Sequence, residues 1–195
     1  LGQPVYLQTG EGGLFLSRTG VLQRFPDSDS LLTDRESLEE CFRAICGYAV
    51  HTHQNELKNG FVTLKGGHRA GICGTGVYDG SLTAIRELSS VNIRVAHQIR
   101  GAADEILRRW DQLGGILLVG PPASGKTTIL RDMARQLGSG YKGKIRKIAL
   151  VDERGEVAVM LEGQPQMEVG CHTDVMDSCP KSVAIPMLLR SANPQ

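Results

Sequence analysis

The pattern of apolar and polar residues changes character near the middle of the chain. Residues 116–119 are four consecutive apolar residues, which predicts a short strand buried on both faces of a parallel sheet. After a loop rich in glycine and proline, apolar side chains recur at helical spacing over residues 129–137, and Gly138 is expected to end that helix. A second apolar run at residues 148–151 predicts another buried strand. This order of strand, loop, helix and strand predicts a parallel α/β sheet.

The first part of the chain has shorter and more irregular runs. Brief β-prone segments bounded by glycine predict short strands near the N-terminus. Thr33 and Glu36 have the spacing of a capping box, in which two side chains satisfy free amides at a helix start, so we expect a helix over residues 34–48. Two β-prone runs on either side of Gly66 and Gly67 predict a hairpin.

These patterns divide the chain into two predicted domains. Residues 83–88 and 91–96 indicate two further strands, and a short helix is expected from Ala102. We therefore predict a small α+β domain over residues 1–100 and an α/β domain over residues 101–195.

The composition is that of an ordinary globular protein. Of 195 residues, 41% are hydrophobic and 22% charged, and the net charge of +1 produces no strong field toward nucleic acid or an anionic membrane. No apolar run approaches the roughly 20 residues of a transmembrane helix, and no signal-peptide pattern is present. Five cysteines without a C-x-x-C pair predict buried thiols in a reducing cytoplasm rather than a zinc site or a disulfide framework.

The loop between the first apolar run and the helix matches the phosphate-loop pattern G-x-x-x-x-G-K-[ST] in full. Glycines at both ends permit a tight turn that directs backbone amides inward, and the positive end of the helix dipole reaches the same point. Lys126 then neutralises the β- and γ-phosphates, and the Thr127 hydroxyl is a ligand for Mg²⁺. The sequence predicts a site for ATP and Mg²⁺. Its binding residues are Gly120, Pro121, Pro122, Ala123, Ser124, Gly125, Lys126, Thr127 and Thr128.

Three acidic residues, Asp152, Glu153 and Glu156, follow the second apolar run. Carboxylates at the carboxyl end of a buried parallel strand face the ligand crevice, where they can hold Mg²⁺ or polarise an attacking water. A solvated strand end is the alternative interpretation. All three acids are candidate catalytic residues.

Five segments together are similar to the RecA-like P-loop ATPases of type II and type IV secretion, in particular to a sporulation branch of that family. The likeness covers nearly the whole chain, and the glycine loop is its least specific part. The segments are residues 60–80, 84–96, 120–128, 150–156 and 171–195.

The resemblance implies a RecA-like sheet and an ATP-hydrolysing motor subunit. Members of the family form hexameric rings at the cytoplasmic face of a membrane-embedded assembly, and the sporulation branch is thought to power a channel between mother cell and forespore. The family's acidic box falls on residues 151–156, which implies Glu153 as the first choice for the catalytic glutamate and Glu156 as the second. It also makes Arg86 and Arg94 candidates to reach the nucleotide.

The resemblance further implies that the sheet of this chain is truncated. The family's metal-holding Walker B strand follows a helix that resembles residues 187–195, so it is expected beyond Gln195. The 195-residue chain is therefore expected to bind ATP but to hydrolyse it poorly. In that helix Pro186 departs from the family pattern, and a late start or a kink is expected there.

Two other functions stay open. A RecA-like ATPase acting on single-stranded nucleic acid is one, although such proteins interleave basic residues with stacking aromatics, and this chain has 5% aromatics and a single tryptophan, Trp110. A nucleotide-responsive assembly protein with little turnover is the other.

Overall fold

The computed structural model describes residues 1–58, 60–80, 82–110 and 114–195. Its contacts divide the chain into two units, the first comprising residues 1–64 and 69–94 and the second comprising residues 65–68 and 95–195. Within the described ranges, no helix is both long and apolar enough to cross a bilayer.

The described residues of the first unit form two antiparallel sheets and two α-helices. Strands β1 (Tyr6–Thr9), β2 (Gly12–Leu16) and β3 (Leu22–Gln23) form one sheet, and β4 (Phe61–Thr63), β5 (Arg69–Tyr78) and β6 (Leu82–Arg94) form the other. Along the chain, the two sheets are separated by α1 (Arg35–Ile45), a 3-10 helix (Val50–His53) and α2 (Gln54–Lys58). The buried apolar side chains of this unit are Leu38, Cys46, Val62, Ala70 and Ile72.

The predicted hairpin is confirmed, since β4 and β5 pair antiparallel with Thr63 opposite Arg69. The two predicted strands at residues 83–88 and 91–96 are one strand, β6. Its register against β5 shifts between Cys73 and Thr75, so a bulge replaces the expected break.

The predicted capping box at the start of α1 is wrong. The residue that caps this helix is Asp34, whose carboxylate accepts from the Ser37 amide at 2.7 Å. Thr33 lies one residue before the cap position, and its own amide donates to the Gln3 carbonyl at 3.0 Å. Asp34 is also an effective cap, so the helix forms near its predicted position.

Three α-helices and four short strands are described in the second unit. They are α3 (Asp104–Arg108), α4 (Lys126–Ser139), β7 (Ile148–Asp152), β8 (Met160–Leu161), β9 (Gln164–Pro165), β10 (Thr173–Asp177) and α5 (Lys181–Ser191). Strands β7 and β10 pair in parallel, with Asp152 opposite Asp177, so their carboxyl ends lie together. Helix α5 begins ahead of Pro186, which is therefore inside the helix.

Helix α4 is the centre of the second unit's core. Ala134 belongs to a buried cluster with Leu150, Val157, Ala158 and Val169. Met133 and Leu137 belong to a second cluster, with Ala103 and Leu107. Helix α4 thereby ties β7 and the chain that follows it to α3.

Gly138 does not end α4, contrary to the sequence prediction. It is buried inside the helix, and a Cβ atom there would lie 2.7 Å from the Thr173 hydroxyl. The helix ends instead at Gly140, which adopts the left-handed conformation with φ +116°. Gly138 thus serves close packing against β10, and Gly140 serves the turn.

The predicted strand at residues 116–119 is also wrong. Residues 115–120 are irregular, and Leu117 and Val119 are 87% and 82% exposed. A strand needs partners for its backbone amides and carbonyls, and this segment pairs with no strand in the described part of the chain. A RecA-like sheet therefore stays a prediction, and the parallel pairing within the described residues is that of β7 with β10.

One further correction concerns the cysteines, all of which were expected to be buried. Cys46 is 1% exposed, but Cys73 and Cys171 are exposed. Burial raises the pKa of the Cys46 thiol.

Candidate functional site

The glycine loop forms a strained turn directly before α4. The Ser124 amide donates to the Pro121 carbonyl at 3.3 Å, and Ala123 and Gly125 both have left-handed backbone conformations, with φ +61° and +86°. The left-handed conformation is easy for glycine, but at alanine it costs on the order of 1–3 kcal/mol. The loop therefore holds a shape that its own sequence does not favour at Ala123.

Helix α4 begins immediately after this turn, at Lys126, with Gly125 as its cap residue. No side chain among the described residues hydrogen-bonds to this helix start. The first amides of a helix have no partner within the helix, and they lie at the positive end of its dipole. The amides of Lys126, Thr127 and Thr128 can therefore bind an anion.

Lys126 folds back over the loop. Its Nζ donates to the carbonyls of Gly120 at 2.9 Å and Pro121 at 2.6 Å, and to the Ser124 hydroxyl at 3.3 Å. The cation thus lies beside the helix start, where it can exchange these neutral acceptors for phosphate oxygens. Thr127 is half-buried in the first turn of α4, where its hydroxyl can serve as a ligand for Mg²⁺.

Asp152, at the end of β7, is 3% exposed, and both oxygens of its carboxylate accept hydrogen bonds from the loop that follows it. It accepts from the amides of Glu156 at 2.8 Å and of Val157 and Ala158 at 2.9 Å each. These bonds fold residues 153–158 into a defined loop, here called the acidic loop. The observed contacts of Asp152 are structural, and its catalytic role stays a prediction.

The two glutamates of the acidic loop have different surroundings. Glu153 is exposed, and its Oε2 atom accepts from Lys181 Nζ at 3.0 Å, at the start of α5. The Glu156 side chain is also exposed, but it makes no hydrogen bond or ion pair with any described residue. Of the three predicted acids, Glu156 alone has a carboxylate unengaged within the described part of the chain.

Two residues of α4 were missed by sequence reasoning because charged residues on a helix usually face solvent. Arg131 donates from Nε to the Val157 carbonyl and from Nη2 to the Glu156 carbonyl, both at 2.7 Å. Burial lowers the pKa of the Arg131 guanidinium, and the nearby Asp152 charge opposes that shift. No sequence signal identifies these partners, since they lie 25 and 26 residues away.

The second missed residue, Asp132, is fully buried. It accepts from the Ala103 amide at 2.9 Å, from Gln136 at 3.0 Å and twice from Arg135, at 2.9 and 2.7 Å. Burial alone would raise the pKa of Asp132, but these hydrogen bonds and the Arg135 charge lower it. Only the spacing of Asp132 and Arg135 on one helix face could have suggested any of these contacts.

Arg86 and Arg94 lie on β6 of the first unit, opposite Thr75 and Arg69, and both are exposed. Their role at a nucleotide stays a prediction. Within the described ranges, no three His, Cys, Asp or Glu side chains are grouped closely enough to hold a metal ion by themselves.

The fold and the site define a protein of two units, whose second unit has a glycine-rich loop at the start of a helix and an acidic loop at the end of a parallel strand. The chain belongs to the family described as Sporulation stage III, protein AA, whose match spans residues 2–195. The predicted sporulation family is thereby confirmed, whereas kinship with the secretion ATPases stays a prediction.

Two relatives show how far the similarity extends. Stage III sporulation protein AA of Bacillus subtilis (strain 168) is 41% identical over 155 residues, which cover 77% of this chain and 50% of that protein. Protein SEEDLING PLASTID DEVELOPMENT 1 of Arabidopsis thaliana is 30% identical over 80 residues, which cover 39% of this chain and 11% of that protein. No solved structure matches the chain. The chain thus spans about half the length of the Bacillus protein.

Proposed function

We propose that this chain carries the nucleotide site of an ATPase that acts in sporulation, as a motor subunit of a trans-envelope complex. The observation that carries the proposal is the glycine loop, which has the complete phosphate-loop motif and leads directly into α4. No described side chain caps the start of this helix, and the Lys126 ammonium lies beside it. The sporulation role rests on the family and on the name of the Bacillus relative.

In this proposal the loop and the helix bind the phosphates together. The amides at the start of α4 donate hydrogen bonds to the phosphate oxygens, and Lys126 moves from the Gly120 and Pro121 carbonyls to the β- and γ-phosphates. Thr127 holds Mg²⁺, which neutralises charge on the phosphates when it is bound.

We infer that Glu156, rather than the Glu153 favoured by resemblance, orients the attacking water and accepts its proton. A general base needs an unoccupied carboxylate within reach of that water. Glu153 is paired with Lys181, whereas Glu156 makes no side-chain contact within the described residues. Glu156 also has its backbone held on both sides, by Asp152 at the amide and by Arg131 at the carbonyl.

A RecA-like sheet is part of the proposal, and the edge of β7 supports it. The Ile148 amide donates toward β10, to the His172 carbonyl at 2.9 Å, so the preceding carbonyl, that of Lys147, points to the other edge. There it accepts from the Gln195 amide at 2.9 Å. We infer that in the full-length protein the residues after Gln195 continue as a parallel strand along β7.

The resemblance adds three features that complete the proposal. They are a homo-hexameric ring, a membrane-embedded partner and work at the cytoplasmic face of the membrane. These rest on the resemblance to secretion ATPases, and a partner pull-down and the mass of the assembly in solution would test them.

The test of the proposed function is a fluorescent ATP titration of the full-length protein with a Lys126→Ala variant. We expect the variant to lose most of its affinity, about tenfold or more, because Lys126 is the cation at the helix start. Lys144→Ala is the matched control, since Lys144 is an exposed lysine beyond the other end of α4, about 20 Å along the helix axis. Unchanged affinity in a folded Lys126→Ala variant would contradict the phosphate-loop interpretation.

A further inference from the structure

One long polar side chain of α4, that of Arg131, reaches the backbone of the acidic loop. Arg131 lies five residues after Lys126 on the same helix, about 7–8 Å further along its axis. Its guanidinium makes two hydrogen bonds of 2.7 Å, to the carbonyls of Glu156 and Val157. Hydrogen bonds from a charged donor are roughly twice as strong as neutral ones, so this contact is a substantial part of the loop's attachment.

Asp152 holds the same backbone from the opposite side. Its carboxylate accepts from the amides of Glu156, Val157 and Ala158. The opposite charges of Arg131 and Asp152 also attract each other, which favours both sets of hydrogen bonds to this backbone. Residue 156 is therefore clamped at both its amide and its carbonyl, between α4 and the end of β7.

The end of the acidic loop is also held by burial of its apolar side chains. Val157 and Ala158 are buried in the cluster formed with Ala134 and Leu150. Residues 153–156, by contrast, are exposed or only half-buried. Loss of Arg131 would leave the core in place and would loosen the part of the loop that carries the glutamates.

We propose that Arg131 is a positioning residue, which fixes the acidic loop to the helix that begins at the phosphate loop and so sets where Glu156 lies relative to Lys126. This inference rests on the proposed function for its catalytic consequence. The physical claim, that Arg131 holds the acidic loop in place, stands on the contacts alone.

The test compares Arg131→Met and Arg131→Lys in the full-length protein. Methionine keeps the apolar stem and removes both hydrogen bonds, whereas lysine keeps the charge and restores only part of the contact. We expect Arg131→Met to change the Kd for ATP by less than about threefold and to lower kcat by about 10- to 100-fold, since a misplacement of about 1 Å can cost 10²-fold. The kcat of Arg131→Lys should lie between those of the wild-type protein and Arg131→Met.

Arg135→Met is the matched control. Arg135 lies one turn further along α4 and also makes two guanidinium hydrogen bonds, but to Asp132. We expect it to lower stability and to leave kcat unchanged. A second readout needs no activity, because amide hydrogen exchange of residues 153–158 should rise in Arg131→Met and not in Arg135→Met.

A double variant identifies the residue through which Arg131 acts. If Arg131 works by placing Glu156, adding Arg131→Met to Glu156→Gln should lower kcat little further. The proposal is overturned if exchange in residues 153–158 is the same in both single variants, or if kcat falls no more in Arg131→Met than in Arg135→Met. If the wild-type protein hydrolyses no ATP, the proposed function fails, and the exchange comparison still decides whether Arg131 holds the loop.

Discussion

At the scale of single residues, three acids within five positions of one loop have three different surroundings. Asp152 is buried and bonded to backbone amides, Glu153 is paired with Lys181, and Glu156 has a carboxylate without a described partner. All three side chains end in a carboxylate, so the difference comes from what surrounds the carboxylate oxygens. A carboxylate that already accepts several hydrogen bonds is poorly suited to take a proton from water, which favours Glu156 as the base.

We predict that Glu156→Gln in the full-length protein keeps ATP affinity and lowers kcat by about 10²–10⁴-fold, since an amide cannot accept the proton. Glu153→Gln is the isosteric control and should retain most of its turnover. Phosphate release at saturating ATP, with affinity measured separately, checks both. Loss of turnover in Glu153→Gln alone would restore Glu153, the residue favoured by resemblance, as the base.

At the scale of elements, the docking of α3 against α4 depends on a buried carboxylate as well as on apolar contact. Ala103 and Leu107 pack on Met133 and Leu137, and Asp132 accepts the Ala103 amide from within α4. Gln136 extends this contact by donating to Asp104 Oδ1 at 2.7 Å. The start of α3 is therefore attached to α4 by polar bonds, and those made to Asp132 are stronger when that residue is ionised.

This contact makes stability depend on pH in a defined direction. The pKa of Asp132 in the folded protein lies below its ordinary value of 3.8, so its contribution to stability is present above that value and is lost as pH falls through the lowered pKa. We expect Asp132→Asn to lower the free energy of unfolding by about 1–3 kcal/mol at neutral pH. The variant should also lose less stability than wild type on acidification below pH of about 4.

Urea unfolding of both proteins at several pH values measures this effect. Asp104→Asn is a useful comparison, because Asp104 is exposed and accepts a single bond from Gln136. Parallel pH profiles for wild type and Asp132→Asn would show that Asp132 titrates alike in the folded and unfolded states.

At the scale of the whole molecule, the second unit has a two-stranded parallel sheet and, elsewhere in the same unit, exposed apolar side chains. Leu117 and Val119 are 87% and 82% exposed, and the outward side of α5 exposes Val183, Ile185, Met187 and Leu189. Exposed apolar surface favours association with other protein chains, and so does an unpaired strand edge. A strand formed by residues after Gln195 would cover part of this surface and would complete the proposed sheet.

We therefore predict that the 195-residue chain binds ATP but hydrolyses it at least about tenfold more slowly than the full-length protein, because Mg²⁺ must be held while charge builds on the transferring phosphate. The Asp152 carboxylate already accepts hydrogen bonds from three amides, with which a metal ion would have to compete. Phosphate release at equal protein concentration tests this, and the shorter chain should also be less soluble. Equal turnover would mean that Asp152 or another acid of this chain already holds the metal.

The sequence by itself determined the features that depend on neighbouring residues. The hairpin around Gly66 and Gly67, the helix after the glycine loop and the strand at residues 148–151 follow from local patterns, and the structure contains all three. The family could also be identified, because its segments extend along nearly the whole chain. Such patterns work because hydrogen bonding within a turn or a helix involves residues only a few positions apart.

The tertiary structure alone decided which distant groups meet. It engaged Asp152 with its own loop, brought Arg131 to the carbonyls of that loop and pressed Gly138 against Thr173. It also left residues 116–119 without strand partners among the described residues, although their composition favours a strand. The physical reason is that a buried polar group or a strand edge is satisfied by whatever segment packs beside it, and that neighbour is chosen by the fold rather than by local sequence.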